Sequence, residues 1–362
     1  MAASILKITG EKYAALGMAI TGYFVSIPVY CDSAYVLLSP LARRLSRDTK
    51  VSMTTMAVAL AMGLHATHML VPPTPGPLAV AGILGADLSV VICVGMAVSI
   101  PVVLVALLIG SIMGKKYYYL PTFAEEPNDS KKVVLPRPAE AFVPIILPIV
   151  LMLLRTIVSF ESAPLGRGFL YQLFFSLGNT IVALMIGLAF AFITYRRLFP
   201  EDKQMWTFEG EFGEALKTAG QIVMIVGAGG AFAAVLELSG LENMVKETFS
   251  GIQAGILVPF AIGAIFRTAV GAGTVGMITS ASMLLPLLDV LGFASPVGRL
   301  VAMLACAAGG FFVFHGNDNY FWVITSTSEM PPSVAYKVFP LISVLQGFTA
   351  LICAYALSIF LM

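Results

Sequence analysis

Asp32 stands in the stretch Ser26-Ile-Pro28-Val-Tyr30-Cys-Asp32-Ser33, within an apolar run and shortly after a proline. A carboxylate in such surroundings is costly to bury and marks an ion path or a proton relay. Arg267 opens a second stretch, Arg267-Thr268-Ala-Val-Gly271-Ala-Gly273-Thr274-Val-Gly276. Its guanidinium stays charged and binds a carboxylate through paired hydrogen bonds, and the glycines let backbone approach a ligand. A third stretch, His315-Gly-Asn317-Asp318-Asn319-Tyr320, offers amide and carboxylate groups suited to hydroxyls. The fourth, Val71-Pro72-Pro73-Thr74-Pro75-Gly76-Pro77, must unwind, because proline cannot donate a backbone hydrogen bond. A new half-helix is expected near Leu78, and its first amides carry partial positive charge that suits an anion.

The chemistry these stretches share is the binding of a small hydroxylated carboxylate. Arg267 and the half-helix N-termini would take the carboxylate, with Gly76, Gly271 and Gly273 admitting it to the backbone. Thr74, Thr274, Asn317 and Asp318 would take hydroxyls, and Asp32 would carry a proton. Two plainer readings stand beside this one: Asp32 caps a half-helix, or Arg267 pairs with Asp32 or Asp318 as a structural ion pair. His65 and His68, three apart on one helix face, lack further ligands nearby and read as polar lining rather than a metal pair. No metal and no cofactor is expected.

Other chemistries fit less well. The chain has no HExxH, GxSxG or GxxxxGK[ST], so transport, if that is the task, is secondary and driven by an ion gradient. A proton gradient is the first choice. A sodium-coupled organic-anion carrier or a cation/proton antiporter is the alternative, with unwound carbonyls and Asp318 holding the ion. From another class, Asp32 and Asp318 could serve an intramembrane aspartyl hydrolase.

The elements that must hold these residues follow from composition. Hydrophobic residues make up 58% of the 362 and charged residues 11%, about half the charged share of a soluble chain. Apolar runs long enough to cross a bilayer recur throughout, so the chain reads as an all-α, polytopic integral membrane protein. A net charge of +1 offers no basic field for nucleic acid; the expected partners are membrane lipid and a small organic anion. The four cysteines lie in apolar segments without CxxC spacing and read as packing.

The map places elements near 13–40, 52–87, 88–113, 141–159, 170–195, 218–238, 252–292, 299–327 and 338–361. Most Lys and Arg fall at 43–50, 115–137 and 196–217, which should face the cytoplasm. With residues on both sides of the first element then inside, that element must be re-entrant, and the same parity makes 252–292 re-entrant from outside. Each is followed by a broken span, the pattern of an inverted repeat with a midplane site. The expected organisation is a first repeat at 1–113, a cytoplasmic connecting loop at 114–140, scaffold helices at 141–238, and a second repeat at 239–362. Two re-entrant hairpins and two discontinuous transmembrane helices complete it.

At these residues the sequence resembles the gluconate:proton symporter (gluconate permease) family of the ion-transporter superfamily. The family's Ile-Pro-aromatic-aromatic-Glu, Val-Pro-Pro-His-Pro-Gly-Pro, Arg-x-Ala-x-Gly-Ser-Ala-Thr-Val and His-x-Asn-Asp-Ser-Gly-Phe-Trp motifs meet, in order, residues 27–35, 71–77, 267–275 and 315–322. Asp32 stands where the family has Glu, Thr74 where it has His, Ala272-Gly273 for Ser-Ala and Asn319-Tyr320 for Ser-Gly. The resemblance implies an elevator-like carrier in the bacterial inner membrane, a homodimer as such carriers often are, taking up gluconate or a related sugar acid with protons.

Overall fold

The computed structural model describes residues 13–27, 29–122, 136–158, 168–201, 204–213 and 255–361, with a few positions between 215 and 231. Pro28, most of the connector at 123–135 and most of the span expected near 218–238 lie outside the described residues. Among those described there are helices and no strands, as a chain whose backbone must satisfy itself in hydrocarbon requires. In chain order they are α1 (Ala14–Val25), α2 (Cys31–Thr49), α3 (Met53–Leu70), α4 (Pro75–Leu84), α5 (Leu88–Lys116), α6 (Pro138–Val158), α7 (Phe169–Leu177), α8 (Thr180–Leu198), α9 (Leu257–Val270), α10 (Gly273–Leu284), α11 (Pro296–Gly310), α12 (Asn319–Thr327) and α13 (Pro332–Leu361). Segments 53–84, 88–116, 181–198 and 332–361 are each long and apolar enough to cross a membrane. The protein is a multi-pass integral membrane protein.

Three expectations shift. The basic stretch from Arg43 to Arg47, read as loop, forms the last turns of α2, which continues through Pro40 to a left-handed Lys50. The span expected at 170–195 divides at Gly178 and Asn179, where the Asn179 side chain caps α8. The half-helix expected near Leu78 begins at Pro75, because proline is well suited to a helix's first turn, where its missing N–H is no loss.

The chain forms two compact units. One holds α6, α7 and α8. There Arg197 makes a double contact with Glu140, at 2.6 and 2.5 Å, tying the end of α8 to the start of α6. Ile181, Met185, Leu188 and Ile193 present an exposed apolar face.

The other unit carries the four stretches singled out above. α1 and α3 run the same way: Ala19 meets Gly63, and four residues on along each helix Thr67 Oγ1 donates to Tyr23 O at 2.9 Å. α2 returns to the end from which they started, where Arg43 Nη1 lies 3.4 Å from Glu329 Oε1. The later half repeats this. Gly263 of α9 meets Cys306 of α11, and further on Asn317 Nδ2 donates to Thr268 O at 2.8 Å. α9 begins beside Leu291 and Phe293, the residues through which α10 leads into α11. The halves interlock reciprocally: α4 packs on α10, α12 on α2, and α5 on α13.

Lipid is as apolar as leucine, so close packing rather than expulsion from water holds such helices together. A Cβ on Gly63 would lie 2.5 Å from Ala19 O, and one on Gly263 2.6 Å from Cys306 O; only glycine lets these backbones meet. Every residue of α3 is buried. α5 and α13 instead present exposed apolar faces, α5 through the i, i+4 stripe Ile100, Leu104, Leu108 and Ile112, and α13 through Phe348, Ile352, Tyr355 and Ile359.

Candidate functional site

A cavity of about 320 Å³ opens where the helix breaks meet, lined by Tyr30, Cys31 and Asp32, by His65, His68 and Met69, by Val270, Ala272, Gly273 and Thr274, and by Asn317 through Tyr320. α2 begins at Cys31, α10 at Gly273 and α12 at Asn319, so the first residues of these helices all lie on its wall. Each N-terminus brings unpaired amides and partial positive charge to the cavity. α12 is already capped, since Tyr320 N donates to Asp318 Oδ1 at 2.7 Å. The residues before α2 and α10, Tyr30 and Ala272, make no side-chain cap.

Of the residues expected to bind substrate, Gly273, Thr274, Asn317 and Asp318 line the cavity, as does Asp32. Asp32 accepts from Asn319 Nδ2 and from Cys31 Sγ, each at 3.2 Å. Thr74, Gly76, Arg267 and Gly271 stand behind the wall. Thr74 Oγ1 lies 2.9 Å from His68 O and 2.6 Å from Val71 O, so its hydroxyl serves the carbonyls that the proline break sets free. Gly76 brings the start of α4 onto α10: a Cβ there would lie 3.6 Å from Thr274 Cα. Gly271, with φ at +83°, takes a turn open to glycine, and a Cβ would come within 2.8 Å of Asn317 Cγ.

Arg267 is 1% exposed. Its Nη2 lies 2.6 Å from Asp318 Oδ2, its Nη1 donates to Gly271 O, and its guanidinium sits 5.4 Å from the centre of the Phe314 ring. The ion-pair reading of this arginine is therefore the one realised here, with Asp318 rather than Asp32. Asp318 occupies the cavity wall and Arg267 the layer behind it.

Several lining residues were not singled out in the sequence. His65 and His68, by contrast, were read from sequence as polar lining rather than a metal pair, and both line the cavity; each leaves its Nδ1 without a partner, with Phe311 beside the first ring and Tyr30 beside the second. Cys31 and Asn319 adjoin flagged residues, so adjacency would have found them. Met69 and Val270 carry no signal of their own, being apolar residues in apolar helices.

A polar cavity at the meeting of helix breaks, inside a bundle with apolar outer faces, defines a membrane carrier. The chain belongs to the GntP family permeases, whose family model matches residues 1–360. It is 36% identical to an uncharacterized permease of Haemophilus influenzae, over 90% of this chain and 68% of that one. It is 29% identical to a gluconate permease of Pseudomonas aeruginosa, over 100% of this chain and 80% of the relative. A low-affinity gluconate transporter of Escherichia coli is 27% identical, over 96% and 77% respectively. The protein is thus a permease and not an enzyme. The two aspartates agree with this: Asp318 is committed to Arg267 and Asp32 to Asn319, whereas an aspartyl hydrolase needs two carboxylates sharing a proton.

Proposed function

We propose that this permease takes up gluconate or a related small hydroxycarboxylate across the bacterial inner membrane together with protons. The observation that carries the reading is the cavity itself, where three helix N-termini converge in front of a buried arginine. A carboxylate docked at the uncapped start of α10 would meet the amides of Gly273 and Thr274 with Arg267 close behind. A Cβ on Gly273 would lie 3.5 Å from Arg267 Nη1. Thr274, Asn317 and Asn319 line the same space and can bond hydroxyls. The gluconate-named relatives supply the lead substrate.

The paired directions of α1 with α2 and of α9 with α10 favour re-entrant hairpins. The reciprocal packing of α4 on α10 and α12 on α2 is what an inverted repeat would produce. An elevator mechanism would move the unit bearing the site, and the dimer belongs to the same reading. Sodium fits less well. The carbonyls of His68, Val71, Thr268, Gly271 and Gly316 already accept donors from this chain, and a fixed guanidinium adjoins them. With Asp32 and Asp318 both on the wall, a carboxylate is at hand for the proton, and Asp32 is the candidate the sequence offers.

Uptake of labelled gluconate and D-glycerate into proteoliposomes, with a pH gradient, a sodium gradient or neither, tests the proposal. Accumulation only under the pH gradient is expected. Sodium-driven accumulation, or transport of neither acid, would overturn it.

A further inference from the structure

The geometry points to Asp318, rather than Asp32, as the group that takes up the proton, because the substrate carboxylate and Asp318 compete for Arg267. This rests on the carrier reading above. Arg267 is absent from the cavity wall while Asp318, with Oδ2 2.6 Å from Nη2, lies on it; an anion that pairs with Nη2 takes the place of that carboxylate. Nη1 donates to Gly271 O.

The charges then dictate the outcome. Arg267, Asp32 and Asp318 together bear one positive and two negative charges, or −1, and a bound carboxylate makes −2. Two excess negative charges side by side cost more than one, so a proton enters with the anion. The partners of Asp32, Asn319 and Cys31, are untouched by an anion at Arg267. Asp318 is the carboxylate that loses its counter-charge. Protonated at Oδ2, it still accepts from Tyr320 N through Oδ1, so the cap on α12 persists.

The other titratable groups facing the cavity leave this intact. His65 and His68 come from α3, Tyr30 and Cys31 from the start of α2, and Tyr320 from α12; none is paired with the guanidinium. Anion and proton are thereby bound as a unit, and the returning carrier closes Asp318 back onto Arg267.

Asp318→Asn is a conservative probe, because asparagine caps a helix as well as aspartate does. In proteoliposomes its pH-driven accumulation, taken relative to its own gluconate counterflow, should fall by about tenfold or more, whereas in Asp32→Asn that ratio should stay within about threefold of the parent's. Retained pH-driven accumulation in Asp318→Asn, or its loss in Asp32→Asn alone, overturns the assignment. A second measurement avoids dependence on the variants: calorimetry of gluconate binding to the parent protein in buffers of different ionisation heat should report uptake of about one proton per anion. Gluconate binding without proton uptake also overturns it. Absence of any gluconate or D-glycerate binding would instead sink the carrier reading on which the inference stands.

Discussion

At the scale of single residues, the site separates groups that meet the ligand from groups that hold the wall. Thr74 shows the difference. The sequence places a hydroxyl at a proline break in the path of an anion, and nothing in residue type says which way that hydroxyl turns. In the fold it lies against His68 O and Val71 O, because an unwound turn inside a membrane protein has carbonyls that must find donors. Thr74→Val keeps the shape and removes the donor. It should lower stability by about 1–2 kcal/mol, the usual cost of leaving a buried acceptor unpaired, read as a lower unfolding temperature in detergent, with Thr74→Ser close to the parent. A raised KM for uptake with unchanged unfolding temperature would mean instead that Thr74 binds substrate directly. The sequence offered Arg267 either Asp32 or Asp318 as an ion-pair partner and could not choose; Asp318 lies 51 positions away, and the return of α12 to the end of α9 brings the two together.

At the scale of elements, the breaks were the most legible feature, because proline, glycine and polar side chains interrupt an apolar pattern in ways chemistry forces. The interruption at residues 71–74 falls within a stretch that residue type marked, and the one at residues 311–318 overlaps another but begins several residues earlier. The division at Gly178 and Asn179 was missed, since one glycine and one asparagine in an apolar span also fit an unbroken helix. What sequence could not supply is which helix faces share a contact. Gly63 and Gly263 look like any other glycines, yet each marks a crossing where backbone lies against backbone, α1 on α3 and α9 on α11. Gly82 of α4 has open space around its Cα and serves as the control. Gly63→Ala and Gly263→Ala should each lower stability by about 1–3 kcal/mol, the range for overpacking, and Gly82→Ala should raise it by up to about 1 kcal/mol through helix propensity. Thermal unfolding of the three variants in one detergent decides the matter; equal behaviour would mean that the crossings tolerate a methyl group.

At the scale of the whole chain, contacts distant in sequence fix which segments share an end of the site-bearing unit. Glu329, at the turn between α12 and α13, accepts from Thr122 N at 2.9 Å and from Arg43 Nη1 at 3.4 Å, while Tyr119 OH donates to Ser328 O at 2.8 Å. Burial works to raise the Glu329 carboxyl, but the hydrogen bonds from Thr122 and the charge of Arg43 outweigh it and hold the group below its ordinary range. At the other end Arg299 Nη1 donates to Leu84 O at 2.7 Å, beside the left-handed Gly85 that closes α4. The ends of α2 and α5 therefore belong with the α12–α13 turn, and the α4–α5 turn belongs with the start of α11. Charge distribution gives the same grouping a direction, since the first end carries Arg43, Arg44, Arg47, Lys50, Lys115 and Lys116 and should face the cytoplasm. Single cysteines at Asp48 and Ala294, both exposed, test this in intact cells with a bulky maleimide that does not cross membranes. Ala294→Cys should react from outside, and Asp48→Cys only after the membrane is opened. Labelling of both from outside would show that α2 crosses the bilayer instead of returning to the side on which α1 begins, and the re-entrant reading of the first hairpin would fail with it.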